Sequence, residues 1–168
     1  MAPVRVDVAM LSLGAHEAAG VVALAQWLDG PECARAASFA SPLDSQLFVA
    51  AHVLARMQLC AVGGRAPWQW SFDIGHGGKP RVRDEAGGPV PAFSLAHARS
   101  VSGGPVCGLV GVAALRGAGC DVGFDLEAHD PTLVAEDFTR VLTPHEAATL
   151  RALPAEHRPA ALARLWCL

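Results

Sequence analysis

The segment Asp121-Val122-Gly123-Phe124-Asp125-Leu126-Glu127 sets acids and apolar residues on alternate positions. In a strand, alternate side chains share a face. Asp121, Asp125 and Glu127 would then face one way, Val122, Phe124 and Leu126 would face a core, and Gly123 would leave open space between the acids. By strand rise Asp125 and Glu127 lie about 6–7 Å apart. Their repulsion is roughly 2.5 kcal/mol at an effective dielectric of 20 but about 0.6 kcal/mol in bulk water. An enclosed acid face needs a cation, whereas a wet one needs none, and periodicity alone leaves both readings open. The natural occupant of an enclosed face is Mg²⁺, which takes one or two carboxylates while substrate phosphates fill further positions.

Two other groups could do chemistry. His97 closes Phe93-Ser94-Leu95-Ala96-His97, where a strand meets a loop, and Lys79 sits in the turn Gly77-Gly78-Lys79-Pro80. All of the 13 basic residues except Lys79 are arginine, so this position carries a compact ammonium in a chain that otherwise uses guanidinium. Taken alone, the first reads as a structural histidine and the second as an ordinary turn with a solvated lysine at its tip. The pairs His16-Glu17 and His145-Glu146 lack the second histidine of a zinc-protease helix. No nucleophile elbow, phosphate-binding loop or dinucleotide fingerprint is present.

The elements that must hold these groups are legible from spacing. Val4, Val6, Val8 and Met10 alternate with Arg5, Asp7 and Ala9, which predicts an opening strand. Helices are expected over 16–28, 32–39 and 43–59. The last of these is capped by Ser41 with Pro42 in its first turn, and Leu47, Ala50, Ala51, Leu54 and Met57 form its buried face. Glycine and proline punctuate the middle of the chain, predicting strands at 69–74, 92–96, 106–114 and 120–126. Helices return over 132–142, after a Thr143 cap backed by Pro144 and Glu146, and over 156–168. Because strands and helices come in blocks, the class is α+β with a small, mostly antiparallel sheet, and a doubly wound fold is disfavoured.

Composition narrows the function classes. With 168 residues, 52% of them hydrophobic and 17% charged, the chain suits one domain or two small lobes and is not generally disordered. A net charge of −3 argues against a broad nucleic-acid surface. The apolar runs 18–28 and 105–115 fall short of the ~20 residues that span a bilayer, so no membrane association is expected. Cys33, Cys60, Cys107, Cys120 and Cys167 are odd in number and show no C-x-x-C pairing, as suits reduced thiols in a cytoplasmic protein.

In order along the chain come Trp70-Ser71-Phe72, Gly78-Lys79-Pro80, Phe93-Ser94-Leu95-Ala96-His97, Val122-Gly123-Phe124-Asp125-Leu126-Glu127, Leu142-Thr143-Pro144-His145-Glu146 and Leu165-Trp166. This succession resembles the surfactin-type 4′-phosphopantetheinyl transferases, from about Arg35 to the last residue. The resemblance implies a holo-acyl-carrier-protein synthase, which moves the phosphopantetheine arm of coenzyme A onto a serine of an acyl or peptidyl carrier protein. It matches Asp125 and Glu127 to the carboxylates that bind Mg²⁺, and His97 to the histidine on the coenzyme's phosphates. Lys79 and Pro80 match the turn near the nucleotide, and Arg35 a basic position near the 3′-phosphate. Arg56 matches an arginine closing the long helix, read as structural. The implied architecture is two similar α+β halves, here 1–115 and the beginning of a second at 116–168. A non-catalytic relative that binds coenzyme A or a carrier protein is the alternative.

The chain departs from the family pattern at Ser94, Ala96 and Glu32, the last standing where a second cation for the 3′-phosphate is expected. The end, Leu165-Trp166-Cys167-Leu168, shows no glycine cap and no basic last turn, so the final helix reads as cut in mid-element. On that expectation a Lys-Glu pair completing the metal site is missing, and carrier-protein modification is weak or absent.

Overall fold

The alternating start of the chain forms a long strand, and the rest of the sheet pairs around a later one. The computed structural model describes residues 4–14, 17, 20–83, 90–100, 106–116, 120–128 and 142–166. Strand β1 (Arg5–Gly14) pairs antiparallel with β5 (Val106–Arg116), and β5 pairs antiparallel with β4 (Ala92–Arg99), giving the order β1-β5-β4. A separate hairpin joins β2 (Phe72–Ile74) to β3 (Pro80–Val82). Helices among the described residues include α1 (Gly30–Ala37), α2 (Pro42–Gly63), α3 (Pro144–Ala152) and α4 (Arg158–Trp166). Mixed α and β structure with small antiparallel sheets bears out the α+β class.

Helix α2 is the organising element. Ser41 accepts from the Asp44 N–H at its start, with Pro42 in the first turn. At its end Gly64 takes φ 71° and donates its N–H to the Cys60 carbonyl, a left-handed cap that glycine adopts without strain. Leu47, Ala51, Ala55 and Leu59 are fully buried along it. On β5 the residues facing it are Val110, Val112 and Ala114, also fully buried, and Leu47 fills the space above Gly108. Burying each large aliphatic side chain contributes about 1.5–3 kcal/mol. Trp70, Phe72 and Phe93 extend this core toward the hairpin.

Several expectations need correction. Met57 is exposed because Arg56 takes the buried position beside it. The strand expected at 69–74 is shortened to Phe72–Ile74, since Pro67–Gln69 forms a 3₁₀ turn in which the Ala66 N–H donates to Gln69 Oε1. Within the expected 16–28 helix, the described residues 17, 20 and 21 are α-helical, whereas Val22–Trp27 is 3₁₀, closed by Leu28 N–H on the Ala25 carbonyl. Residues 120–128 form no regular element and pair with no described strand. Here Asp121 and Asp125 each accept the N–H of the following residue on their own Oδ1, at 2.9 and 2.8 Å, so those side chains take donors a neighbouring strand would otherwise use. The expected alternation survives nonetheless: Val122, Phe124 and Leu126 are half-buried and Asp121, Asp125 and Glu127 exposed.

Strands β4 and β5 outrun their expected ends, reaching Arg99 and Arg116. Thr143 caps α3 in a reciprocal box with Glu146, as its spacing predicts. The last helical stretch opens as a 3₁₀ turn, and Arg164 lies in the last turn of α4, so a base does stand there. The expected helix 132–142 lies outside the described residues except at Leu142. Among the described residues α2 alone is long and apolar enough to cross a membrane, which corrects the expectation that every apolar stretch falls short of a span. In the structure it lies on β5 and β4 and buries Arg56.

Candidate functional site

Strand alternation on β4 decides where His97 points. Phe93, Leu95, His97 and Arg99 stand opposite Ala114, Val112, Val110 and Gly108 of β5, all on the side of α2. Arg99 reaches Asp44 in the first turn of α2, a charge-assisted pair that holds the Asp44 carboxyl below its usual range. His97 lies in the space left between β4, α1, α2 and the hairpin. That space is a cavity of about 560 Å³, and among its lining residues are Arg35, Phe39, Phe72, Pro80, Leu95 and His97. Three residues assigned by resemblance, Arg35, Pro80 and His97, are thus brought together from distant parts of the chain.

Burial pulls the His97 pKa below the ordinary histidine value of 6.5, Asp44 partly opposes this, and His52 adds to it. His97 is therefore a neutral imidazole at pH 7. Arg35 lies over the Phe39 ring, 4.7 Å from its centroid, with its guanidinium at the cavity wall.

Behind the wall is a buried ionic cluster. Glu32 Oε1 accepts from His52 Nδ1–H (2.6 Å) and Arg56 Nη1–H (3.0 Å), while Oε2 accepts from Arg56 Nη2–H (2.6 Å) and the Asp29 N–H (2.8 Å). Asp29 Oδ1 accepts the Glu32 N–H in return, so the same carboxylate completes the N-terminal capping box of α1. Burial would raise the Glu32 pKa, but the hydrogen bonds from His52 and Arg56 outweigh it and bring it to about 2. Arg56 is completely buried over the Phe72 ring, as its structural reading expects. The legible signal for Glu32 was the capping box Asp29-x-x-Glu32. Its long-range partners left no sequence signal except a charged residue, Arg56, among the apolar positions of α2.

Lys79 lies between Gly78 and Pro80, both of which line the cavity, yet its ammonium points elsewhere. It donates to Asp121 Oδ1 and to the Val122 carbonyl, both at 2.6 Å. Asp121 is held below the usual carboxylate range by that hydrogen bond first. The turn therefore clamps the acidic segment to the hairpin. Ser94 Oγ–H donates to the Phe124 carbonyl at 3.4 Å, and the Phe124 ring covers Gly111 on the sheet face opposite α2. A Cβ at Gly111 would fall 2.6 Å from that ring, so glycine is required for the segment to lie against the sheet.

Asp125 and Glu127 are exposed on this segment and do not line the cavity. Among the described residues no group of three or more histidine, cysteine or acidic side chains is arranged to hold a metal ion. Two carboxylates on alternate residues still fit Mg²⁺, which accepts a small protein share and completes its shell with water and phosphate oxygens. No family model matches the chain, and no curated protein matches it.

Proposed function

We propose that the protein is a coenzyme A-dependent 4′-phosphopantetheinyl transferase of the surfactin type, acting on an acyl or peptidyl carrier protein. The observation that supports this reading is the meeting of Arg35, Pro80 and His97 at one cavity, because the family resemblance matches all of them to positions near the coenzyme. The finer fold that goes with it is the first of two similar α+β halves, with residues 116–168 beginning the second. The cytoplasm is the matching compartment, where free thiols such as Cys33, Cys60 and Cys120 persist.

In this reading the aromatic wall receives the nucleotide end of coenzyme A. Arg35 and His97 offer N–H donors to its phosphate oxygens, and Lys79 holds the acidic segment in place through Asp121. Asp125 and Glu127 would hold Mg²⁺, whose charge offsets that developing on the pyrophosphate oxygens. The carrier serine oxygen bonds to the phosphorus bearing the pantetheine arm, the pyrophosphate P–O bond breaks, the serine proton passes to solvent, and 3′,5′-ADP leaves.

A second reading is favoured by one observation: the pair Asp125 and Glu127 stands outside the cavity that holds Arg35 and His97. A protein with that arrangement binds coenzyme A without transferring its arm. Incubation with coenzyme A, Mg²⁺ and an apo carrier protein, read by intact mass, separates the two. A carrier heavier by one phosphopantetheine supports the transferase, whereas unmodified carrier together with measurable coenzyme binding supports the binding protein.

A further inference from the structure

The charges that face the cavity are few and nearly balanced. Glu32 is anionic, and the bidentate Arg56 behind the wall offsets it. His52 commits its Nδ1–H to Glu32, and Lys79 commits its ammonium to Asp121 and Val122. His97 is neutral at pH 7 because burial lowers its pKa. Among the described lining residues this leaves the Arg35 guanidinium as the cation not already held by a carboxylate, and the Asp29 carboxylate at the same cavity cancels it. The remaining surface is largely aromatic and aliphatic, with Phe39, Phe48 and Phe72 among the lining residues that an aromatic base would contact.

We infer that this cavity favours the base-bearing end of a nucleotide without an additional ribose phosphate, so that dephospho-coenzyme A, rather than coenzyme A, is its better-matched ligand. The inference rests on the coenzyme reading above and deepens it. A phosphate dianion entering a site with no net positive charge gives up hydration and finds no matching counter-charge, whereas an aromatic base gains contact at once. The structure supplies a control in Asp29. Asparagine caps a helix as well as aspartate, so Asp29→Asn keeps α1 while removing one negative charge from the wall.

The test is calorimetric titration of the full chain with coenzyme A and with dephospho-coenzyme A, each with Mg²⁺. Dephospho-coenzyme A is expected to bind at least as tightly as coenzyme A. In Asp29→Asn the ratio of affinities should shift toward coenzyme A by about five-fold, the change expected for one unit charge several ångströms from a phosphate in a partly wet site. Coenzyme A binding more tightly than dephospho-coenzyme A to the wild-type protein, or an unchanged ratio in a folded Asp29→Asn, overturns this inference and leaves the coenzyme reading standing. Failure of both ligands to bind overturns both. The wild-type comparison decides the matter even if the variant does not fold.

Discussion

Replacing Glu32 by glutamine should damage this fold more than any surface change. Glutamine has nearly the same shape, so the perturbation is the loss of a charge that meets Arg56, His52 and the Asp29 N–H. Arg56 is completely buried, and its Nε already lacks a partner, so the variant leaves a guanidinium enclosed without a counter-ion. Breaking a buried pair in this way costs about 3–5 kcal/mol, a large share of the ~5–15 kcal/mol that holds a domain together. Linkage gives a second handle. Glu32 titrates at about 2 in the folded chain against an ordinary 4.5, so its contribution is present above 4.5 and lost as the pH falls toward 2. That shift corresponds to roughly 3 kcal/mol. Urea unfolding should therefore show a wide gap between wild type and Glu32→Gln at pH 7, narrowing as the solution is acidified. The double variant Glu32→Gln with Arg56→Met, which removes the orphaned charge, should recover much of the loss. A gap below 1 kcal/mol at pH 7, a gap constant on acidification, or a double variant as unstable as the sum of the single ones would refute the reasoning.

Three further outcomes are expected. Coenzyme A binding should be tighter with Mg²⁺ than with a chelator, and Asp125→Ala should remove that difference; equal binding in all four measurements would contradict the metal assignment. Gly111→Ala should cost about 1–3 kcal/mol by driving a methyl group into the Phe124 ring, and it should raise amide exchange at Val122 and Leu126; unchanged stability and exchange would show that the segment is not seated as described. Val6, Val8 and Met10 form an exposed apolar row on β1, with Val4 just before it, and the other edge of β1 is unpaired among the described residues, so sedimentation velocity should show concentration-dependent self-association that Val8→Lys suppresses. A monomer at all concentrations would count against it.

Local physics made much of the fold readable. The α2 start follows from Ser41 and Pro42, and β1 follows from strict alternation, because caps and period-2 patterns act within a few residues, whereas α2 runs past its expected end at Leu59 to the Gly64 cap. The segment 120–126 shows where that stops. Its alternation is real, but its pairing depends on backbone donors that Asp121 and Asp125 capture themselves, which residue types alone do not announce. The site divides the same way. His97 and Pro80 were visible through motif order, while the Glu32–Arg56 pair spans 24 residues and became visible only when α1 lay against α2. Lys79 stood out by composition, yet its engagement with Asp121 depends on a contact 42 residues away.

The account stands most directly on calorimetric titration of the purified chain with coenzyme A in Mg²⁺, for the wild type and for Arg35→Ala and His97→Ala. Saturable binding is predicted, weakened in each variant by about 1–3 kcal/mol, as for other lost hydrogen bonds to charged groups. Neither variant should change the far-ultraviolet circular dichroism. No binding by the wild type, or unchanged affinity in both folded variants, would contradict the assignment of this cavity to the coenzyme.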